Sequence, residues 1–354
     1  MGAKLKQLFP MIREREEVLA EIAKSRTLQA EFDGWQMVHQ EEFLKICTGV
    51  KGLKLLYDGI FKEIMNPEYA PERFNDFLSG LLGQRVKVVK VLPNDSVRIA
   101  DESSLLIMDI VVELEDGSIA NVEMQKIGYL FPGQRCACYS ADLLLRQYKR
   151  IRSERKKQFS YRDIKNVYTI VLFEKSPKEF HRYPQKYYHF FEQKSDTGLK
   201  MELLQKYLLI PLDIYAKSQQ NKNIDGKREA WLTLLSSDDP EMIVKLIEKY
   251  PEFRAIYEEG YEICLNTERV MEMFSKELYE LDKNTVQYMI DEMQDTIDAQ
   301  RQEIEELQIK QEKIIYSTIH ILRDLNIPEQ EIVRRIGDQY QISEEQMQKY
   351  LASQ

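Results

Sequence analysis

The chain has 354 residues, of which 43% are hydrophobic and 31% charged, with a formal net charge of −9. No run approaches the roughly eighteen unbroken apolar residues of a membrane span, and the N-terminus lacks a signal-peptide core, so a soluble cytoplasmic protein is expected. Four cysteines with neither disulfide nor zinc spacing exclude a cross-linked secreted scaffold and a zinc module.

Residues 1–42 read as a charged, helical N-terminal lead-in, with Ile12, Val18, Leu19 and Ile22 set among Arg, Lys and Glu. An α/β core is expected over 43–216. Its most informative stretch is 105–125, LLIMDIVVELEDGSIANVEMQ. Leu106, Met108, Ile110, Val112 and Leu114 alternate on one side of a first strand, and Ala120, Val122 and Met124 continue that side on a second. Glu115-Asp116-Gly117 has the pattern of a three-residue loop with glycine in the left-handed position. In that register Leu114 pairs with Ser118, Val112 with Ala120, Ile110 with Val122 and Met108 with Met124. Asp109 then falls directly opposite Glu123, with Gln125 on the same face. A two-residue turn would set Ile110 against Glu123 and spoil the apolar side, so the register is strongly specified.

Opposed like charges destabilise a strand pair. A divalent cation would reverse that sign, and hard carboxylate oxygens suit Mg²⁺ or Mn²⁺ better than zinc. A second reading stays open: the acids could belong to the wet face of an antiparallel hairpin. Asp101 and Glu102, just before the first strand, offer either a further carboxylate or a loop cap.

After the Phe131-Pro132-Gly133 break, 134–157 reads as a helix, with Ala137, Ala141, Leu144, Leu145 and Tyr148 expected to face the core. Its tail carries Arg146, Lys149, Arg150, Arg152, Arg155, Lys156 and Lys157 against the single acid Glu154. Such a tail suits the phosphates beside a scissile phosphodiester, or simply complements the helix dipole. This local charge answers the objection raised by an acidic chain.

Asn166–Glu174 reads as a buried strand and Leu203–Ile214 as a final edge strand, limited to the edge by Pro211. The aromatic stretch 180–191 is read as packing under a loop in preference to stacking on bases. Residues 217–284 turn helical and polar. Over 285–316 a heptad emerges, Ile290, Met293, Ile297, Gln300, Ile304, Leu307, Gln311 and Ile314, the seam either of a coiled coil through which a homodimer could form or of a long helix packed on its own domain. A small helical unit, 317–354, follows.

The pieces YDGIFKEIM (57–65), RFNDFLSGLLG (73–83), LIMDIVVELEDG (106–117), NVEMQ (121–125) and QRCACYSADLL (134–144) together resemble the PD-(D/E)XK nuclease family transposases. The ordered set is far more specific than any one piece. The resemblance implies a restriction-endonuclease-like core, a mixed central sheet flanked by helices, here with helical N- and C-terminal extensions. It also implies metal-dependent cleavage of DNA. Carried over by position, Asp109 and Glu123 would be the metal ligands, and Gln125 stands where the broader superfamily has lysine. Lys126 alternates to the other side of the strand and does not take that role. Lys62 matches a family lysine, with Asp58 and Glu63 as further acids on the same helix. Arg135 and Tyr139 match a family arginine and tyrosine that either contact phosphate or pack helix to sheet; with Arg146, Lys149 and Arg150 they form the expected DNA-binding set. Two functions follow: an active Mg²⁺- or Mn²⁺-dependent endonuclease, or a catalytically weak relative that binds DNA or protein as a scaffold.

Overall fold

In chain order the elements are α1 (Ala3–Leu8), α2 (Arg15–Ala23), α3 (Arg26–Gly34), α4 (Met37–Cys47), α5 (Asp58–Ile64), α6 (Pro71–Leu82), β1 (Val88–Leu92), β2 (Met108–Leu114) and β3 (Ile119–Ile127). Then follow α7 (Gly133–Arg155), β4 (Val167–Lys175), β5 (His189–Phe191), β6 (Gln205–Pro211), α8 (Leu212–Gln219), α9 (Lys227–Ser236), α10 (Pro240–Lys249), α11 (Phe253–Leu265), α12 (Thr267–Asp324) and α13 (Glu329–Tyr340). This is a computed structural model, and it describes residues 3–53, 55–92, 108–127, 133–219, 223–340, 342–343 and 350–351. Asp101, Glu102 and residues 105–107 of the expected first strand lie outside them.

The described strands form one mixed sheet in the order β1-β2-β3-β4-β6-β5. The turn fixes its antiparallel half. Gly117 sits at φ +84, where a side chain is disfavoured. Its N–H donates to the Leu114 carbonyl at 2.8 Å, and Leu114 N–H donates to the Ser118 carbonyl at 2.8 Å. The resulting register is the one expected: Met108 to Met124, Asp109 to Glu123, Ile110 to Val122 and Val112 to Ala120. Helix α7 then returns the chain so that β4 runs parallel to β3, and β6 runs parallel to β4.

Both faces of this sheet are covered. Val112, Leu114, Ala120, Val122, Met124, Ile170 and Leu172 enter the main core with residues of α5 and α6. On the opposite face Val111, Ile119 and Val167 pack with Leu143 of α7, and Val171 and Phe173 pack with Cys136. Such double coverage is the usual condition of parallel strands, and it removes the wet-face reading of Glu123.

Several expectations change. Strand β6 is no edge: the three-residue β5 pairs outside it. Pro211 is tolerated because it closes the strand beyond the last β5 pair, His189 to Leu209, where no N–H is required on that side. Strand β1, unread in VKVVKVL, lies at the opposite edge, with exposed Val89 and Lys90 and an irregularity between Val88 and Lys90. The buried side of α7 is Cys136, Ser140, Leu143 and Gln147, whereas Ala137, Ala141 and Leu145 are exposed. In 180–191, Phe180 packs on Phe173 with ring centroids 5.5 Å apart, as the packing reading expects.

The chain divides into two units, Met1–Thr285 and Val286–Gln354. The first takes in the 1–42 segment, whose described residues form α1, α2, α3 and the first part of α4, built into the core. Phe9 is wholly buried, its ring 5.1 Å from that of Tyr261. Arg13 donates to the Cys264 carbonyl and to Thr267 Oγ1, each at 2.8 Å. In the second unit, α13 packs Ile332 and Ile336 on Ile315 and Ile319 of α12.

Candidate active site

Strand β3 carries a polar run at every second position, Asn121, Glu123 and Gln125, all turned to the α7 face and all buried. Glu123 is 0% exposed. Its Oε1 accepts a hydrogen bond from Gln125 Nε2 at 2.8 Å, within one strand and across one alternation. Asp109 holds the register position directly opposite Glu123, and directly paired positions share a face of the sheet. The Asp109 side chain lies outside the described residues.

Helix α7 closes this face because polar anchors seat it. Gln147 donates to the Gly117 carbonyl at 3.2 Å and accepts from Lys165 N–H at 2.7 Å, tying the helix to the hairpin turn and to the entry of β4. Gln205 Nε2 donates to Ser140 Oγ at 3.2 Å. These bonds explain how a glutamine and a serine fill core positions. In the first turns of α7, Cys136 lies near enough to Glu123 and Arg135 for both charges to act on its thiol. Burial pushes the Cys136 thiol up to about 12, and the negative charge of Glu123 adds to the rise while Arg135 opposes it. Cys136 is therefore a neutral packing group and no nucleophile. Arg135 Nε donates to Tyr139 Oη at 3.2 Å, with the guanidinium 5.7 Å from the ring centroid, so these two form one unit on the helix.

Two further polar atoms were not singled out from the sequence. Asn121 pairs in register with Thr169 of β4. Asn121 Oδ1 and Thr169 Oγ1 are buried and have no hydrogen-bond partner among the described residues. Buried polar atoms in that condition are rare and ask for an explanation. The period-two polar run in an otherwise apolar strand was the available signal for Asn121; nothing local marks Thr169. Carboxylate, amide and hydroxyl oxygens together make the hard donor set that fits Mg²⁺ or Mn²⁺. Among the described residues, no group of three or more His, Cys, Asp or Glu is placed so that it could hold a metal ion.

The expected cations are distributed unequally. Arg146 pairs with Asp142 at 2.7 Å, and Arg150 pairs with Glu113 of β2 at 2.6 Å. Lys149 is exposed between them. Lys62 is exposed on α5, whose Ile60, Phe61 and Ile64 enter the core of the other sheet face. Glu63 is paired with Arg269 of α12, and the Asp58 side chain lies outside the described residues. Lys126 does alternate away from the acids: it is buried on the far face, between Glu174 at 3.2 Å and Glu277 of α12.

Comparison with known proteins gives one match. A family model described as PD-(D/E)XK nuclease family transposase covers residues 55–292. No curated protein and no solved structure matches. Among the described residues, no helix is long and apolar enough to cross a membrane.

Proposed function

Since the chain belongs to the PD-(D/E)XK nuclease family transposases, we propose that it is a metal-dependent DNA endonuclease of transposase or recombination type. The observation that carries this reading is the pairing of Asp109 with a wholly buried Glu123. A buried carboxylate facing a second acid is costly unless a counter-charge joins it. Nucleases of this family generally use divalent metal ions. Asp109 and Glu123 would hold Mg²⁺ or Mn²⁺, with the amide oxygen of Asn121 and the hydroxyl of Thr169 on the same face. When bound, the ion supplies a water of lowered pKa and stabilises charge on the scissile phosphate.

The chain's own residues do the rest. Gln125 fixes the Glu123 carboxylate through its 2.8 Å hydrogen bond, an orienting role of the kind that second-shell partners play. Being neutral, it cannot contribute the positive charge of the superfamily's lysine, and Lys62, expected to supply it, stands on α5, which packs on the opposite face of the sheet. Arg135, held by Tyr139, would meet a phosphate oxygen at the start of α7, with Lys149 further along. Arg146 and Arg150 would bind DNA only with charges already shared with Asp142 and Glu113. That neutralisation, together with glutamine at position 125, favours the second reading: a DNA- or protein-binding scaffold of low activity.

The heptad residues Ile290, Met293, Ile297, Ile304, Leu307 and Ile314 are all exposed in the single chain, which supports a homodimer formed through α12. The nuclease reading is tested by calorimetric titration of Mn²⁺ into wild type and Glu123→Ala, with duplex DNA cleavage followed before and after EDTA. Saturable binding lost in the variant, and cleavage that stops on chelation, is expected. DNA binding without cleavage in either metal would favour the scaffold.

A further inference from the structure

The exposed seam of α12 is close to a palindrome. Continued at heptad spacing past Ile314, it takes in Thr318 and the exposed Ile321. Read inward from its two ends, Ile290 matches Ile321, Met293 matches Thr318 and Ile297 matches Ile314. Gln300 then matches Gln311, and Ile304 matches Leu307. A parallel homodimer sets each residue against its own copy and places no demand on such symmetry. An antiparallel one sets each residue against its mirror position. We infer that α12 pairs with a second copy of this chain in the antiparallel sense, with Gln300 opposite Gln311 of the other copy. This inference rests on the coiled-coil reading above and specifies its partner geometry.

The flanking charges choose the same orientation. Ile290, Ile297, Ile304 and Gln311 take the a positions and Met293, Gln300, Leu307 and Ile314 the d positions, which makes Thr296, Glu303 and Lys310 g residues and Gln294, Arg301, Gln308 and Ile315 e residues. In a parallel pair g meets e, and Glu303 would face Gln308 while Lys310 would face Ile315. Neither contact is an ion pair. In the antiparallel register g meets g, and Glu303 faces Lys310 of the other copy, twice by symmetry. Lys310 lies 3.9 Å from Glu306 of its own helix, both side chains well exposed, so its ammonium remains accessible. No like charges are opposed along the paired stretch.

The glutamines then fix the register. A shift of one heptad in the antiparallel pair would set Gln311 against Leu307 or against Met293, leaving an amide in an apolar layer without a partner. The seam itself stays open, although its e position Ile315 is covered. Helix α13 packs on Ile315 and Ile319, whereas Ile314 and Ile321 remain exposed beside it. From Ile290 to Ile321, at 1.5 Å per residue, the paired stretch is about 47 Å long, and the two chains enter it from opposite ends.

Disulfide mapping in the full-length Cys138→Ser protein tests this, since Cys138 is the exposed thiol and Cys47, Cys136 and Cys264 are buried. Gln300→Cys and Gln311→Cys are oxidised separately and mixed, with cross-linking read on denaturing non-reducing gels and solution mass by light scattering. We expect a covalent dimer in the mixture and little in either variant alone. Dimers from each variant alone would mean a parallel coil and overturn the inference while leaving the coil intact. A monomer throughout would overturn both. In the uncrosslinked protein, Glu303→Lys is expected to weaken the dimer several-fold and Glu303→Lys/Lys310→Glu to restore it; an unaffected dimer in the single variant would contradict the antiparallel register.

Discussion

Glu123 and Gln125 behave as one group. The carboxylate is buried, and one of its oxygens is held at 2.8 Å by an amide two residues along the same strand. Substituting Gln125 by Ala keeps the acid and removes its brace, so cleavage is expected to fall about 10- to 100-fold while the melting temperature changes little. A rate equal to wild type in plasmid assays would remove Gln125 from the site. Cys136 makes the opposite case. Burial first, and then the charge of Glu123, keep its thiol protonated through neutral and mildly alkaline pH. Iodoacetamide at pH 8 should therefore label exposed Cys138 and spare Cys136, as read by peptide mass spectrometry. Rapid labelling of Cys136 in the native protein would show that α7 does not seal this face.

At the level of elements, what could be read from the sequence depended on whether the signal was local. The β2–β3 register was readable because period-two alternation and one left-handed glycine determine it within 105–125. The buried side of α7 was misread because it carries Ser140 and Gln147, whose partners, Gln205, Gly117 and Lys165, come from other elements, while Leu145 is left 56% exposed. Likewise Phe9 and Arg13 find their partners in α11 and at the start of α12, some 250 residues away, which no local pattern announces. Strand β6 looked like an edge because the short β5 gives almost no sequence signal. The sheet and α12 also meet in a way that sequence conceals: Lys126, directly after Gln125, is buried between Glu174 and Glu277. Replacing Lys126 with Ala strands two carboxylates in the core, and unfolding in urea should show a loss of about 3–5 kcal/mol. A loss under about 1 kcal/mol would mean that water or protonation relieves the pair.

Across the whole molecule, an acidic chain with net charge −9 carries its nuclease-family segment over 55–292. In the endonuclease we propose, phosphate recognition would come from local groups near the acids and not from overall charge. The composition showed the charge but not its internal use, since Arg146 and Arg150 read as free cations until Asp142 and Glu113 were seen beside them. The heptad was legible for the same reason as the hairpin, being periodic and local. The measurement that tests the central claim most directly is nicking of supercoiled plasmid in Mg²⁺ or Mn²⁺ by wild type, Asp109→Ala and Glu123→Ala, purified identically. The paired-acid site predicts open-circular product from the wild type alone, abolished by EDTA. Equal nicking by all three proteins would contradict it.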